Sequence, residues 1–235
     1  MGKGKLQKFE EMGRFPHVIQ PPFEEVFQRD HPLKGKWNTR FFPVSQPLVL
    51  ELGCGKGEYT VGLAKKYPDK NFLGVDIKGA RMWKGAKNSL EAGMSNVGFL
   101  RTRIEFITSF FAPGEVSEIW LTFPDPQLKR RRNKKRLTAP RFLNAYRRMI
   151  RPGAAIHLKT DSRPLYTYTL ELLKYNRLEP LLATDDLYGS GLADDILSIR
   201  TFYETLFLEK ELPIHYLRFS LDPEKEITDL PDDRE

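Results

Sequence analysis

The sequence predicts an α/β protein with a doubly wound, mainly parallel sheet of seven strands. Short apolar runs alternate with helical patterns from Pro47 onward, and strand-helix-strand repetition of this kind requires crossover connections between parallel strands. The first run ends in a turn with three glycines at every second position, and a helical pattern follows it. That segment reads Leu48-Val-Leu-Glu-Leu-Gly-Cys-Gly-Lys-Gly57.

The apolar runs have the length and content of strands that are buried on both faces of a sheet. They lie at Leu48–Leu52, Asn71–Asp76, Val97–Arg101, Val116–Thr122, Ala154–Thr160 and Ile214–Ser220. Helical patterns are predicted at 61–67, 79–93, 140–150, 165–172 and 200–210, and residues 184–199 form a polar loop. Ligands bind beyond the carboxyl ends of such strands, so we expect the site in the loops that follow them.

Charge and periodicity divide the chain into three parts. Residues 1–45 form a basic N-terminal extension with little periodicity, which we expect to be partly flexible. Residues 46–220 form the sheet domain, and residues 221–235 form an acidic tail, also expected to be flexible. The net charge of the chain is +7. The tail contributes −5, so the other residues together carry +12. A body this basic indicates a polyanionic partner such as nucleic acid.

The remaining composition excludes several classes of protein. Cys54 is the single cysteine, which rules out an internal disulfide and favours a reducing, cytoplasmic compartment. The four histidines lack the spacing of metal ligands, so we expect no metal. No apolar run approaches the roughly 20 residues that a membrane span needs, so we expect no membrane association. Nothing in the sequence indicates an obligate protein partner.

The acid before the glycine turn indicates which ligand the turn accepts. A carboxylate at Glu51 would repel a bound pyrophosphate, and the glycine spacing is GxGxG rather than the GxGxxG of dinucleotide sites. S-adenosylmethionine has no phosphate and carries a positive sulfonium, so it fits this turn better. We therefore expect Glu51, Gly53 and Gly55 to bind S-adenosylmethionine as the co-substrate.

Two further positions complete the predicted cofactor side. Asp76 ends the second strand, where an acid can accept hydrogen bonds from both ribose hydroxyls. It could also cap the helix that starts near Gly79, and we favour the ribose role. The loop after the third strand brings Arg103 and Ile104 to the expected adenine position, where Ile104 could pack on the ring.

The segment after the fourth strand carries the substrate signal, Thr122-Phe-Pro-Asp-Pro-Gln-Leu-Lys-Arg-Arg-Arg-Asn-Lys-Lys-Arg136. Its two prolines stiffen the backbone around Asp125 and would present that carboxylate near the methyl donor. Residues 129–136 contain seven cations, which we expect to contact phosphates, Lys134, Lys135 and Arg136 among them.

These features together favour a nucleic-acid methyltransferase. A ring nitrogen such as guanine N7 has a free lone pair and no proton, so transfer to it needs no strong general base. Carboxylates would stabilise the resulting cation, with Asp125 as the first candidate and Asp161 as the second. Thr201 and Glu204 are a third substrate candidate, although their spacing is also that of a capping box at a helix start.

At these residues the chain resembles the bacterial tRNA guanine-N7 methyltransferases, from about Val49 to Phe219. The matching pieces are Glu51-Leu-Gly-Cys-Gly-Lys-Gly57, Phe123-Pro-Asp-Pro126 with its basic run, Lys159-Thr-Asp161 and Thr201-Phe-Tyr-Glu204. The resemblance implies a Rossmann-like class I methyltransferase fold and transfer to N7 of guanosine 46 in the tRNA variable loop. It implies that Glu51 and Asp76 bind the cofactor and that Asp125 is catalytic and also close to the cofactor.

The resemblance also implies substrate contacts from Lys129, Asp161, Thr201, Phe202, Tyr203 and Glu204. The chain departs from the family at three places: an Asp at 76 where Glu is common, Arg103-Ile104 where an acid or amide followed by Ala is common, and Gln127 where an aromatic residue is usual. Two other hypotheses remain, a non-catalytic RNA-binding protein on a methyltransferase scaffold and a nicotinamide-dependent oxidoreductase. Glu51 and the glycine spacing disfavour the oxidoreductase.

Overall fold

A computed structural model describes residues 3–199, 201–210 and 212–231. Its strands form one sheet in the order β1-β4-β3-β2-β5-β6-β8-β7. The strands are β1 (Val18–Ile19), β2 (Leu48–Leu52), β3 (Asn71–Asp76), β4 (Val97–Arg101), β5 (Val116–Thr122), β6 (Ile150–Thr160), β7 (Leu182–Thr184) and β8 (His215–Ser220). All neighbours are parallel except that β8 runs antiparallel to both β6 and β7.

Seven helices connect the strands in the described part of the chain. They are α1 (Lys3–Met12), α2 (Phe23–Val26), α3 (Glu58–Lys66), α4 (Gly79–Glu91), α5 (Pro140–Arg147), α6 (Arg163–Tyr175) and α7 (Phe202–Leu208). A π-helical turn lies at Trp37–Phe41, and 3₁₀ turns lie at Ile104–Ser109 and Arg130–Lys135. No helix in the described residues is long and apolar enough to cross a membrane.

The mainly parallel α/β architecture is confirmed, but the sheet formed by the described residues has eight strands rather than seven. Strands β1 and β7 contain two and three residues, too few for a periodic pattern to identify. The chain runs outward from β2 through β3 to β4 and then returns to β5 on the other side of β2. This reversal of direction next to β2 is where doubly wound sheets bind ligands.

The predicted helix over 140–150 is too long. It ends at Arg147, and β6 already begins at Ile150 instead of Ala154. The pairing with β5 explains the difference, because it passes from Val116↔Ile150 directly to Glu118↔Ala155. The residues between the two pairs bulge out of the ladder, which accommodates a proline and a glycine inside the strand.

Apolar side chains pack on both faces of the sheet in two clusters. Residues 1–45 contribute to them, because Met12 and Trp37 are fully buried and the Trp37 indole donates to Phe110 O at 2.8 Å. Helix α1 packs on α4, where Trp83 Nε1 donates to Glu11 Oε2 at 2.7 Å. In the acidic tail, the Ile227 side chain is buried.

Candidate active site

A cleft of about 910 Å³ opens where five adjacent strands, β4, β3, β2, β5 and β6, reach their carboxyl ends. Residues that follow each of these strands line it. Nine predicted site residues are among them: Glu51, Gly53, Gly55, Asp76, Arg103, Ile104, Asp125, Asp161 and Thr201. Lys129 and Glu204 do not line it, and the side chains of Phe202 and Tyr203 lie outside the described part of the structure, as does Arg200.

The glycine turn between β2 and α3 forms one wall of the cleft. Gly53 and Gly55 have φ values of +84° and +54°, in the left-handed region that a side chain disfavours. The N–H groups of Gly53 and Cys54 donate to Val75 O at 2.8 and 3.1 Å, which fixes the turn to β3. A Cβ at Gly55 would meet no atom within 4 Å, so the backbone here faces open space where a ligand can approach closely.

Glu51 lies at the base of this turn and is 3% exposed. Its Oε2 accepts from the backbone N–H of Thr60 at 2.8 Å and from the Thr60 hydroxyl, and its Oε1 accepts from the Thr122 hydroxyl. Burial raises the pKa of Glu51 to about 7, against the lowering effect of these three hydrogen bonds, and the nearby negative charge of Asp76 adds to the rise. A positively charged ligand in the cleft would favour the ionised carboxylate.

Asp76 does not cap α4 but holds the turn in front of that helix, and it keeps capacity for a ligand. Its Oδ1 accepts from Lys78 N at 2.7 Å, just before α4 begins, and its Oδ2 accepts from Gly55 N at 2.9 Å. A carboxylate has about four acceptor positions, so about two remain for other donors. The two bonds hold the carboxylate at the cleft wall, which leaves the ribose role chemically open.

The turn around Asp125 forms the opposite wall. Pro124 is buried and Asp125 is exposed to the cleft, and Asp125 Oδ1 accepts from Gln127 N at 3.0 Å. Phe123 and Gln127, on either side of the turn, have φ values of +46° and +48°. Such left-handed residues cost of order 1–3 kcal/mol each, and they persist where the surroundings enforce a functional geometry.

Asp161 and the loop after β4 complete the lining. Asp161 is half-buried, and this burial raises the pKa of its carboxyl group. Ile104 is partly buried against the core, and the Arg103 guanidinium lies 3.7 Å from Glu105 with its side chain 59% exposed. Arg103 therefore carries its charge at the rim of the cleft, on the side where adenine was expected.

Known proteins are similar in sequence to this chain over most of its length. A family profile described as "Putative methyltransferase" matches residues 45–217. A relative from Bacteroides thetaiotaomicron, named tRNA (guanine-N(7)-)-methyltransferase, is 53% identical over 99% of this chain and 91% of its own length. The chain belongs to the tRNA (guanine-N(7)-)-methyltransferase family. A relative of the same name from Porphyromonas gingivalis is 57% identical over 89% of this chain and 86% of its own.

Solved structures agree with this family in fold. The crystal structure of 16S rRNA methyltransferase KamB covers 75% of this chain and 88% of its own, with a TM-score of 0.57 and 15% identity. An antibiotic-related methyltransferase has a TM-score of 0.55 at 15% identity and covers 74% of this chain. These neighbours support the Rossmann-like class I methyltransferase fold. Neither the oxidoreductase nor the non-catalytic scaffold hypothesis has support among the relatives.

Two residues that the tRNA (guanine-N(7)-)-methyltransferase resemblance assigns to substrate do not line the cleft. Glu204 is fully buried, and Lys159 Nζ lies 2.7 Å from its Oε1. Its Oε2 accepts from Thr201 N at 3.4 Å while its own N–H donates to Thr201 Oγ1 at 3.2 Å, so the capping box is formed. Lys129 is exposed immediately before the 3₁₀ turn Arg130–Lys135 and is not part of the cleft lining.

The basic run also differs from the expectation at one position. Arg136 was expected to contact phosphate, but its side chain is buried, and desolvation lowers the pKa of its guanidinium. Its Nε donates to Pro126 O at 3.1 Å, and its guanidinium lies 4.3 Å from the centre of the Tyr168 ring. Arg136 therefore supports the turn that carries Asp125. The other cations of the run are exposed: Lys129, Arg130, Arg131, Arg132, Lys134 and Lys135.

Three supporting residues were not identified from the sequence. Thr60 and Thr122 hold Glu51, and a hydroxyl residue gives no distinctive signal in a helix or at a strand end. Lys159 did give a signal, because a lysine lies inside a run predicted to be buried on both faces. A buried charge requires a partner, and here the partner is Glu204.

Proposed function

We propose that this chain transfers the methyl group of S-adenosylmethionine to N7 of guanosine 46 in the variable loop of tRNA. One observation carries the proposal: a single cleft unites the glycine turn and Asp76 on one wall with Asp125 and Asp161 on the other, next to an exposed cationic segment. The shared name of relatives that are more than half identical supports guanine N7 and tRNA. Position 46 follows from the resemblance to bacterial members of the family.

The residues of the cofactor wall suit S-adenosylmethionine. Its methyl group is electrophilic because it is attached to a sulfonium. Gly55 leaves the backbone open where the methionine part would lie, and Asp76 retains acceptor positions for ribose hydroxyls. The buried carboxylate of Glu51 would provide negative charge toward a cationic ligand. Arg103 and Ile104 would border the adenine, Ile104 by packing and Arg103 at the rim.

The residues of the opposite wall suit a guanine whose N7 acts as nucleophile. N7 carries a lone pair and no proton, so the enzyme has to orient and desolvate the base rather than remove a proton. The Asp125 carboxylate, fixed by Gln127 N–H, would accept from the base and stabilise the positive charge that develops on the ring. Asp161 and Thr201 would bind the substrate from the neighbouring elements.

The exposed cations beside this wall would hold the tRNA backbone. Six of them, from Lys129 to Lys135, follow the Asp125 turn directly. Contacts with phosphates provide affinity and register without selecting a base, so the choice of guanosine would fall to the cleft itself. Lys129, the first cation of the run, would contact the tRNA next to the cleft that holds the guanine.

Methyl transfer to a defined tRNA tests the proposal. Unmodified tRNA transcript is incubated with the enzyme and S-adenosylmethionine carrying a labelled methyl group, and the product is digested and mapped. We expect 7-methylguanosine at position 46 and no label in a transcript that has adenosine there. Label on another base, or tRNA binding without measurable affinity for S-adenosylmethionine, would refute the proposal; the second outcome is the one that a non-catalytic scaffold would give.

A further inference from the structure

A buried ion pair connects strand β6 with helix α7. These two elements flank the cleft wall that contains Asp125 and Asp161, which we call the substrate wall. Lys159, on β6, and Glu204, on α7, are both fully buried, and Lys159 Nζ lies 2.7 Å from Glu204 Oε1. The Tyr188 hydroxyl donates to the same carboxylate oxygen at 2.7 Å. Neither charge belongs to the cleft lining, so the proposed chemistry does not account for either of them.

Burying such a pair is unfavourable at first, because both ions lose their hydration and only their mutual attraction and hydrogen bonds offset that loss. Well-packed apolar residues often provide equal stability at lower cost. The pair is therefore best explained by the relative placement of the structural elements that it joins. Removing one partner is severe, because the other is left as an unpaired buried charge.

The further contacts of Lys159 indicate what is specified. Its ammonium also donates to the backbone carbonyls of Leu197 and Ile199, the latter at 3.3 Å. An ammonium has three N–H donors, and these two carbonyls together with Glu204 provide three acceptors. Lys159 thus joins β6 to the segment 197–199 and to helix α7 at a single point.

The joined segment leads directly into the cleft. Thr201 follows it, caps α7 and lines the cleft, and Asp161, also in the lining, lies two residues after Lys159 on the chain. The other side of the segment is held by α3, where the Tyr59 hydroxyl donates to Ile196 O at 3.0 Å. Displacement of the segment would therefore move Thr201 relative to Asp161.

We propose that Lys159 is a positioning residue for the methyl-transfer reaction and that Glu204 acts through Lys159 instead of touching the substrate. The inference rests on the proposed function, since the substrate wall is defined by it. It assigns Lys159 the task of holding residues 197–199 so that Thr201 and Asp161 face the same base. The exposed cations bind tRNA independently of this pair.

A double-mutant cycle tests the inference. Lys159→Met, Glu204→Gln and the double variant are compared for kcat/KM with tRNA, for S-adenosylmethionine affinity by calorimetry, and for tRNA binding. We expect Lys159→Met to lower kcat/KM by about 100-fold, mostly in kcat, while tRNA affinity changes by no more than about threefold. The double variant should be no worse than Lys159→Met alone, because Glu204 has no separate role.

A control is the exposed ion pair that joins α3 to the loop leading into this segment. Lys66 Nζ lies 2.7 Å from Asp195 Oδ2, with the two side chains 46% and 87% exposed. We expect Lys66→Met to leave kcat/KM within about twofold, because exposed pairs contribute little. An equal loss in Lys66→Met and Lys159→Met would overturn the inference.

Two other results would overturn it as well. Losses that multiply in the double variant would mean that Glu204 contacts the substrate directly. A parallel fall in S-adenosylmethionine affinity and in melting temperature, with no specific change in kcat, would mean a purely structural pair. If Lys159→Met does not fold, amide exchange over residues 192–201 is measured in Glu204→Gln without tRNA. We expect exchange at least about tenfold faster than in the wild type, and unchanged exchange would refute the inference.

These readouts separate this inference from the proposed function. If the wild-type enzyme methylates another base, the proposed function fails. The exchange measurement, which uses neither tRNA nor S-adenosylmethionine, still shows whether Glu204 holds the segment.

Discussion

Glu51 Oε2 accepts the backbone N–H of Thr60 at 2.8 Å, and this bond ties the end of β2 to the first turn of α3. The Thr122 hydroxyl donates to the other carboxylate oxygen from the end of β5. The carboxylate is therefore fixed beneath the turn that is expected to hold the methyl donor. Its burial, which raises its pKa to about 7, makes it a pH-sensitive group of the unliganded protein.

The pKa of Glu51 determines how the stability of the unliganded protein changes with pH. The pKa is about 7 in the folded chain and 4.5 for an ordinary glutamate. The folded chain thus holds an extra proton between these values, and the stability contributed by Glu51 is lost as the pH rises through this window. We expect the free energy of unfolding of the wild type to fall by up to about 3 kcal/mol across this window because of Glu51, and Glu51→Gln should abolish this fall. Urea unfolding at about pH 5 and about pH 8 measures it, and equal pH dependence in variant and wild type would contradict it.

The same group predicts proton release when S-adenosylmethionine binds. A cationic ligand favours the ionised carboxylate, so part of a proton should leave Glu51 near neutral pH and affinity should rise between about pH 6 and 8. Calorimetry in two buffers with different ionisation enthalpies measures the released fraction. Glu51→Gln serves as the control, and proton release that persists in this variant would assign the proton to another group.

Asp125→Ala should separate catalysis from tRNA binding. We expect kcat to fall by about 100-fold or more, because the carboxylate would stabilise charge that develops only during methyl transfer. The tRNA dissociation constant should stay within about twofold, because the exposed cations provide that affinity. Single-turnover methylation and filter binding measure the two quantities. Full activity of Asp125→Ala would exclude the proposed role, and Asp125→Asn tests whether negative charge itself is required.

Asp76→Asn should weaken the cofactor without affecting tRNA. Hydrogen bonds to a charged group contribute about 1.5–3 kcal/mol, so we expect an increase of about 10- to 100-fold in the dissociation constant of S-adenosylmethionine. Asp69→Asn is a matched control. Asp69 is an exposed aspartate that precedes the N-terminal end of β3, whereas Asp76 lies at its C-terminal end. Calorimetric titration of both variants measures the difference, which should vanish if Asp76 only holds the turn before α4.

Neutralising exposed lysines of the cationic segment should reduce the salt dependence of tRNA binding. We expect Lys134→Gln combined with Lys135→Gln to lower the slope of log K against log salt by about 1.5, which corresponds to two lost phosphate contacts. The control changes Lys65 and Lys66 to Gln at the end of α3 farther from the glycine turn. The same loss of slope in the control would mean that the effect is one of net charge alone.

Arg136→Gln should behave differently from its basic neighbours. Its guanidinium is buried and supports Pro126 O, so we expect turnover to fall by about tenfold while the salt slope stays unchanged. Binding measured at several salt concentrations, together with kcat, distinguishes the two roles. A reduced salt slope with normal kcat would mean that Arg136 contacts a phosphate of the tRNA instead of supporting the turn.

The sequence predicted the features of this site that depend on local pattern. The glycine turn after β2, the acid at the end of β3 and the stiff turn around Asp125 are each encoded by neighbouring residues, and all of them line one cleft. Crossover connections make the strands parallel, so the loops that follow them could be assigned to one edge of the sheet from the residue pattern alone.

Roles that depend on distant partners could not be predicted in this way. Glu204 pairs with Lys159 from another element, and Arg136 folds back on the turn before it. Glu204 and Arg136 are therefore buried through distant partners that their own sequence neighbours do not reveal. Thr201 and Glu204 showed the spacing of a capping box, and both this role and a position of Thr201 in the cleft are found. The bulge in β6 depends on its pairing with β5, which residues 150–154 alone do not reveal.

Methylation of a tRNA in which guanosine 46 is replaced by 7-deazaguanosine tests the central claim most directly. The replacement removes the N7 lone pair and preserves the base-pairing edge that Asp125 is proposed to bind. We expect this tRNA to bind with an unchanged dissociation constant and to receive no methyl group. A methyl group transferred to the modified nucleotide, or to any other position at the wild-type rate, would contradict the account.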